Sequence, residues 1–227
     1  MLDLSALTTV TVVDDDAEDR NALVEDLADF GFETRVIEGK YASNMDRLVA
    51  DIHQLQSDFV ICDHKLQPHQ LASFTGAELV ARLFQDRVPS MLLTMFKSPA
   101  RVDILKHRER IPVVVGRDEF DQAHLQKYLN LCRSEFDGNP VPTRKPHRVI
   151  VRVEEKRPFG KSDFVCDVVI PSWRPGHAIT VPKECFAKYF WGSIAQGDRF
   201  LGNVNIEAPD EDELFISELE ERIDIND

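Results

Sequence analysis

The sequence predicts an α/β chain: a doubly wound, five-stranded parallel sheet, then a small β-rich domain and an acidic C-terminal helix. Three observations lead there. Short apolar runs alternate with helical stripes five times within about the first 136 residues. A stretch rich in proline and glycine, DGNPVPTRKPH at 137–147, then interrupts the pattern. Beyond it, alternation replaces helical periodicity. At 227 residues, with 43% hydrophobic and 30% charged, the chain is long enough for one or two packed domains.

The elements follow in order. Thr9–Val13 (TVTVV) is a β-branched run ending in acids, and residues 17–30 place Leu23, Val24, Leu27 and Phe30 on one helical face. Residues 33–37 read as the second strand. Met45, Leu48, Val49, Ile52 and Leu55 form the clearest helical stripe. FVIC at 59–62 reads as a buried strand, and Leu79, Val80, Leu83 and Phe84 as the next helix face. MLLT at 91–94 follows Pro89, a weaker helical stretch follows Pro99, and IPVVV at 111–115 is the fifth strand. Leu125, Tyr128, Leu129 and Cys132 give the last helix. Apolar strands alternating with helices indicate a parallel sheet covered on both faces, with right-handed crossovers and a site at the strand carboxyl ends.

The domain reading is therefore 1–136, a linker at 137–147, a β-rich domain at 148–207 and a tail at 208–227. In the β-rich part Val149, Val151 and Val153 alternate, and residues 164–170, 178–181 and 200–206 are strand-like. Residues 183–191 after Pro182 read as a single helix. In the tail, Asp210 and Glu213 have capping-box spacing, and Phe215, Leu219 and Ile223 recur every four residues. A short docked helix is expected there.

Charge is uneven. Residues 1–143 carry 15 Lys/Arg against 24 Asp/Glu, residues 144–206 carry 11 against 6, and residues 207–227 carry 1 against 10. The net −13 argues against a dedicated nucleic-acid binder. The basic middle block, with Arg144, Lys145, His147, Arg148, Arg152, Lys156, Arg157 and Lys161 near Trp173 and Trp191, keeps a minor single-strand-binding reading open. The favoured reading makes the aromatics core and turns the cations toward acidic partners within the chain. No segment has the roughly 18 apolar residues of a membrane span, and the opening MLDLSALTTVTVVDDD has no basic n-region, so no secretory signal is expected. Cys62, Cys132, Cys166 and Cys185 are widely spaced, unlike a disulfide framework or zinc site. A cytoplasmic protein with reduced thiols is expected.

The strand ends carry the chemistry. Strand one runs into Asp14, Asp15 and Asp16, strand three ends at Asp63, and strand four ends at Thr94. Strands one and three are neighbours in such a sheet, so Asp14, Asp15 and Asp63 should converge. Clustered carboxylates repel unless a cation shares them, and an all-oxygen set suits Mg²⁺. One carboxylate can then serve as nucleophile toward a phosphoryl group, with the Thr94 hydroxyl on a phosphoryl oxygen. The plainer alternative is helix capping, the expected role of Asp16. Common enzyme motifs such as Walker loops and G-x-S-x-G are absent.

VTVVDDDAEDRNALVEDLADFGFE, DFVICDHKLQP followed by TGAELVARL, and VPSMLLT together resemble the receiver domain of response regulators over about residues 8–136. The resemblance implies a flavodoxin-like fold and a phosphorelay role in a two-component system. Asp63 would be the phosphoacceptor and Thr94 the switch hydroxyl. Mg²⁺ would be bound by Asp15 and Asp63, by Asp14 through water, and by the Lys65 carbonyl. Implied partners are a histidine kinase or phosphotransfer protein, a downstream protein, and a second copy in a homodimer; catalysis is limited to self-phosphorylation and dephosphorylation. Three features depart from the family pattern. The stretch from Asp63 to Gly76 is longer than usual; Met95 follows Thr94 where a small residue is preferred and should crowd the pocket; and the lysine expected after the fifth strand is missing. Arg117 is the nearby cation, and the lysine slot falls near Asp118. Slow phosphorylation with a weak response is expected, against a phosphorylation-independent interaction module as the alternative. His64 and His69 flank the site, with solvation the expected state of each.

Overall fold

The computed structural model describes residues 7–95, 102–160 and 163–223, and the chain divides into two units. The first comprises residues 1–97 and 110–139, the second residues 98–109 and 140–227.

The first unit is built on β1 (Thr9–Val13), β2 (Glu33–Val36), β3 (Phe59–Asp63), β4 (Ser90–Thr94) and β5 (Val113–Gly116), all parallel, in the order β2-β1-β3-β4-β5. This is the doubly wound arrangement expected, with its switch point between β1 and β3. The connecting helices include α1 (Ala17–Asp29), α2 (Met45–Leu55) and α3 (Gly76–Gln85), and α4 (Leu125–Phe136) follows β5. Each helix start has a local cause. Asp16 accepts from the Glu18 and Asp19 amides, Asn44 accepts from Arg47, and Thr75 with Glu78 forms a reciprocal capping box. Val10, Val12, Phe59, Ile61, Met91 and Leu93 face α1 and α4 in one core layer, joined by Leu23, Leu27, Leu125 and Leu129.

The second unit is an antiparallel sheet of β6 (His147–Phe159), β7 (Asp163–Val169), β8 (Ala178–Pro182), β9 (Arg199–Val204) and β10 (Ile216–Arg222), in the order β10-β9-β6-β7-β8. Val151, Val153, Cys166, Val168, Val181 and Phe200 fill its core. Three features differ from the sequence expectation. Residues 102–109 belong with this sheet: Leu105 lies in its core, Arg108 Nε donates to the Asp212 carbonyl at 3.1 Å, and Arg144 Nη2 donates to the Glu109 carbonyl at 2.9 Å. Both arginines are buried.

The tail is the second difference. Asp210 Oδ1 does accept from the amides of Asp212 and Glu213, but a strand follows, not a helix. A spacing of four residues returns to the same face in a strand as well as in a helix, and β9 offers an open edge for Ile216 to pair with Val204. Ile223, the third residue of the stripe, lies beyond β10, its amide donating to the Arg199 carbonyl. The third difference is the segment 183–191, which forms two 3₁₀ turns, Lys183–Cys185 and Lys188–Phe190. Phe186 between them is extended and bridges to Leu219, which prevents one continuous helix.

Candidate functional site

Register alone brings the chemistry together. Val13 pairs with Cys62, Asp63 with Leu93, and Thr94 with Gly116, so the carboxyl ends of β1, β3, β4 and β5 lie side by side. Asp14, Asp15 and Asp63 each present a carboxylate oxygen, and these lie within 4.8 Å of one another. Thr94 is buried at the same edge. The sequence-predicted convergence is therefore present.

Each acid is held. Asp14 Oδ1 accepts from the Asp16 amide at 2.9 Å, and Asp63 Oδ2 accepts from the Lys65 amide at 2.7 Å. Asp15 Oδ2 accepts from the His69 amide at 2.6 Å. Lys65 thus turns its N–H toward Asp63. Burial raises the Asp14 carboxyl above its ordinary range, partly opposed by the hydrogen bond from Arg117. Burial also holds the Cys62 thiol well above its usual value, which leaves it a packing residue.

Arg117 overturns the expectation of a displaced cation. It opens a short 3₁₀ turn directly after β5, and its Nη2 donates to Asp63 Oδ1 at 2.9 Å and also to Asp14 Oδ2. Nη1 lies 3.5 Å from Asp19 Oδ2. Burial works against the guanidinium charge, but the bonds to Asp63 and Asp14 prevail and raise its proton affinity further. Asp118, where the lysine slot was expected, is exposed. Met95, directly after Thr94, is 55% exposed.

The long stretch after Asp63 is ordered by its own apolar residues. Leu66, Leu71, Ala72 and Phe74 are buried, the Tyr41 amide donates to the Leu71 carbonyl, and the Ser73 amide donates to that of Ala42. This packing delivers the Lys65 and His69 amides to the acids, a contribution that no side-chain motif announces. His64 is buried, contrary to the solvated loop residue expected, and its amide donates to the Leu93 carbonyl. His69 is exposed, with Nε2 3.4 Å from Asp16 Oδ2.

In the second unit the basic and aromatic residues satisfy one another. The Trp191 and Trp173 indoles donate to the carbonyls of Phe186 and Ala208. Lys156 Nζ donates to the Trp191 carbonyl and lies 4.3 Å from the Phe164 ring centre, and Lys183 lies 4.5 Å from that of Trp191. Arg148 pairs with Glu221 and Arg157 with Asp167, while Lys161 lies outside the described residues. Cys185 is a buried thiol, as are the other three cysteines, none in a disulfide. Among the described residues no helix is long and apolar enough to cross a membrane.

No protein-family model matches the chain, and no curated protein matches it by sequence. Solved structures similar to it include response-regulator receiver domains. One is the signal receiver domain of an HD-domain-containing protein from Pseudomonas fluorescens, at 17% identity and TM-score 0.45, covering 59% of this chain and 94% of that one. Another is the response regulator TrrA from Thermotoga maritima in complex with Mg²⁺–BeF, at 20% identity and TM-score 0.41, covering 56% of this chain and 99% of that one. NtrX from Brucella abortus matches at 18% identity and TM-score 0.44 over 59% of this chain and 29% of its own.

Proposed function

We propose that the first unit is the receiver of a two-component response regulator, accepting a phosphoryl group on Asp63 from the phosphohistidine of a kinase or phosphotransfer protein. The observation that carries this reading is the placement of Arg117. A cation held 2.9 Å from Asp63 Oδ1 stands where charge on an incoming phosphoryl group needs an opposite partner. In the transfer, an Asp63 oxygen forms the new O–P bond while the P–N bond to the donor imidazole breaks, its electron pair remaining on that nitrogen. The Thr94 hydroxyl and the Arg117 guanidinium donate to the phosphoryl oxygens.

The three convergent carboxylates fit a hard divalent ion, with Asp14, Asp15 and Asp63 as the holding residues. When bound, Mg²⁺ supplies charge neutralisation between the carboxylates and the phosphoryl oxygens. Arg117 presents a planar fork in place of a compact ammonium, so its contacts with Asp14 and Asp63 must rearrange when the phosphoryl group arrives. Output passes to a downstream protein through the second unit.

Incubation with acetyl phosphate and Mg²⁺ followed by intact mass tests the reading. A single added phosphoryl group in wild type and none in Asp63→Asn is expected. No mass change in wild type would leave the second reading, a phosphorylation-independent module in which Arg117 permanently neutralises Asp14 and Asp63. That alternative is favoured by the same two contacts.

A further inference from the structure

The outer face of the second sheet holds a charge arrangement that the receiver site does not use. Arg152 on β6 stands directly opposite Arg199 on β9 in the antiparallel register. Like charges at opposed positions destabilise a sheet unless something neutralises them. Arg152 Nε donates to Glu154 at 2.6 Å, and Arg148 further along β6 pairs with Glu221 at 2.9 Å. Arg199 has no acidic partner among the described residues. Both arginines line a notch of about 280 Å³, together with Ser172, Pro171 and Ile150. Ile150 is 39% exposed, which gives the notch an apolar wall.

We propose that this notch binds a carboxylate of an acidic protein segment, with an apolar residue beside that carboxylate packing on Ile150 and Pro171. A carboxylate accepts paired hydrogen bonds from a guanidinium fork, and here it relieves the repulsion between two of them. The Ser172 hydroxyl supplies a further donor. A protein segment fits better than nucleic acid for two reasons on this surface. Glu154 and Glu221 flank the arginines and repel a continuous line of phosphates. Trp173 and Trp191, the aromatic platforms that single strands would need, already have cations of this chain over their rings, Arg174 at 4.6 Å from the Trp173 ring centre and Lys183 at 4.5 Å from that of Trp191.

The test is amide chemical-shift titration of the full ¹⁵N-labelled chain with N-acetyl-Glu-Leu-amide, N-acetyl-Gln-Leu-amide, inorganic phosphate and oligo-deoxythymidine. The glutamyl peptide should shift the amides of Ile150, Arg152, Ser172 and Arg199, and bind at least tenfold more tightly than the glutaminyl peptide. Arg199→Gln and Arg152→Gln should each weaken it at least fivefold, and Arg199→Gln should do so without lowering the thermal midpoint, since it removes like-charge repulsion and breaks no ion pair. If one variant fails to fold, the other decides. Equal binding of the two peptides, absence of shifts at these amides, or an unaffected Arg199→Gln and Arg152→Gln would overturn the proposal. Tighter binding of phosphate or oligo-deoxythymidine at the same residues would replace it with a phosphate site.

Discussion

Gly76 lies so close to Asp63 that a Cβ built on it would stand 1.9 Å from the Asp63 carbonyl oxygen and 2.9 Å from Cys62 Sγ. The first turn of α3 therefore rests directly on the backbone of the proposed phosphoacceptor. The atom in the way is main chain, so no rotamer change can make room.

Gly76→Ala should accordingly move the end of β3. Overpacking of this kind costs about 1–3 kcal/mol, readable as a lower urea midpoint. The same variant should lose phosphoryl uptake at Asp63. A variant as stable and as reactive as wild type would show that α3 is free to retreat.

Arg117→Ala leaves Asp14, Asp15 and Asp63 facing one another without a guanidinium. In chelator at neutral pH the loss should be about 1–3 kcal/mol, and added Mg²⁺ should recover more stability than it adds to wild type. Burial already raises the Asp14 carboxyl above 3.8. The cost of its charge is therefore complete above that raised value and vanishes as pH falls below the ordinary range. The gap between Arg117→Ala and wild type should narrow on acidification. Thermal unfolding between pH 7 and pH 3, with and without Mg²⁺, measures it.

Asp58 ties the starts of β1 and β3. Its Oδ2 accepts from the amides and hydroxyls of both Thr8 and Thr9 at 2.9–3.0 Å. Burial opposes the charge, but those donors outweigh it and lower the carboxyl below 3.8. Its contribution is present above the ordinary carboxylate value and is lost as pH falls through the lowered one. Asp58→Ala should cost about 1–3 kcal/mol at neutral pH and much less in strong acid, as followed by urea unfolding.

Leu219 on β10 is fully buried in the second core, and a Cβ on Gly202 of β9 would meet its Cδ2 at 2.3 Å. Leu219→Ala should destabilise the second unit by about 2–5 kcal/mol. Had the tail formed a loosely docked helix, the loss would be small. Unfolding followed by Trp173 and Trp191 fluorescence reports on this unit specifically.

The sequence by itself determined the parallel sheet and the place of its acids. Apolar runs such as FVIC and MLLT have to be buried on both faces, and a sheet wound in this way brings the ends of β1 and β3 together whatever the loops do. The convergence of Asp14, Asp15 and Asp63 followed from that alone. Tertiary structure decided what periodicity leaves ambiguous. The tail's four-residue spacing satisfies strand and helix alike, and the open edge of β9 selected the strand. Leu105 carries no mark of which core it will join. Arg117 is the sharpest case: counting positions from α4 placed the cation slot at Asp118, yet a 3₁₀ turn after β5 swings the guanidinium onto Asp63 and Asp14. A side chain of that length finds its partners through space, and a turn of three residues is enough to change which acids it reaches.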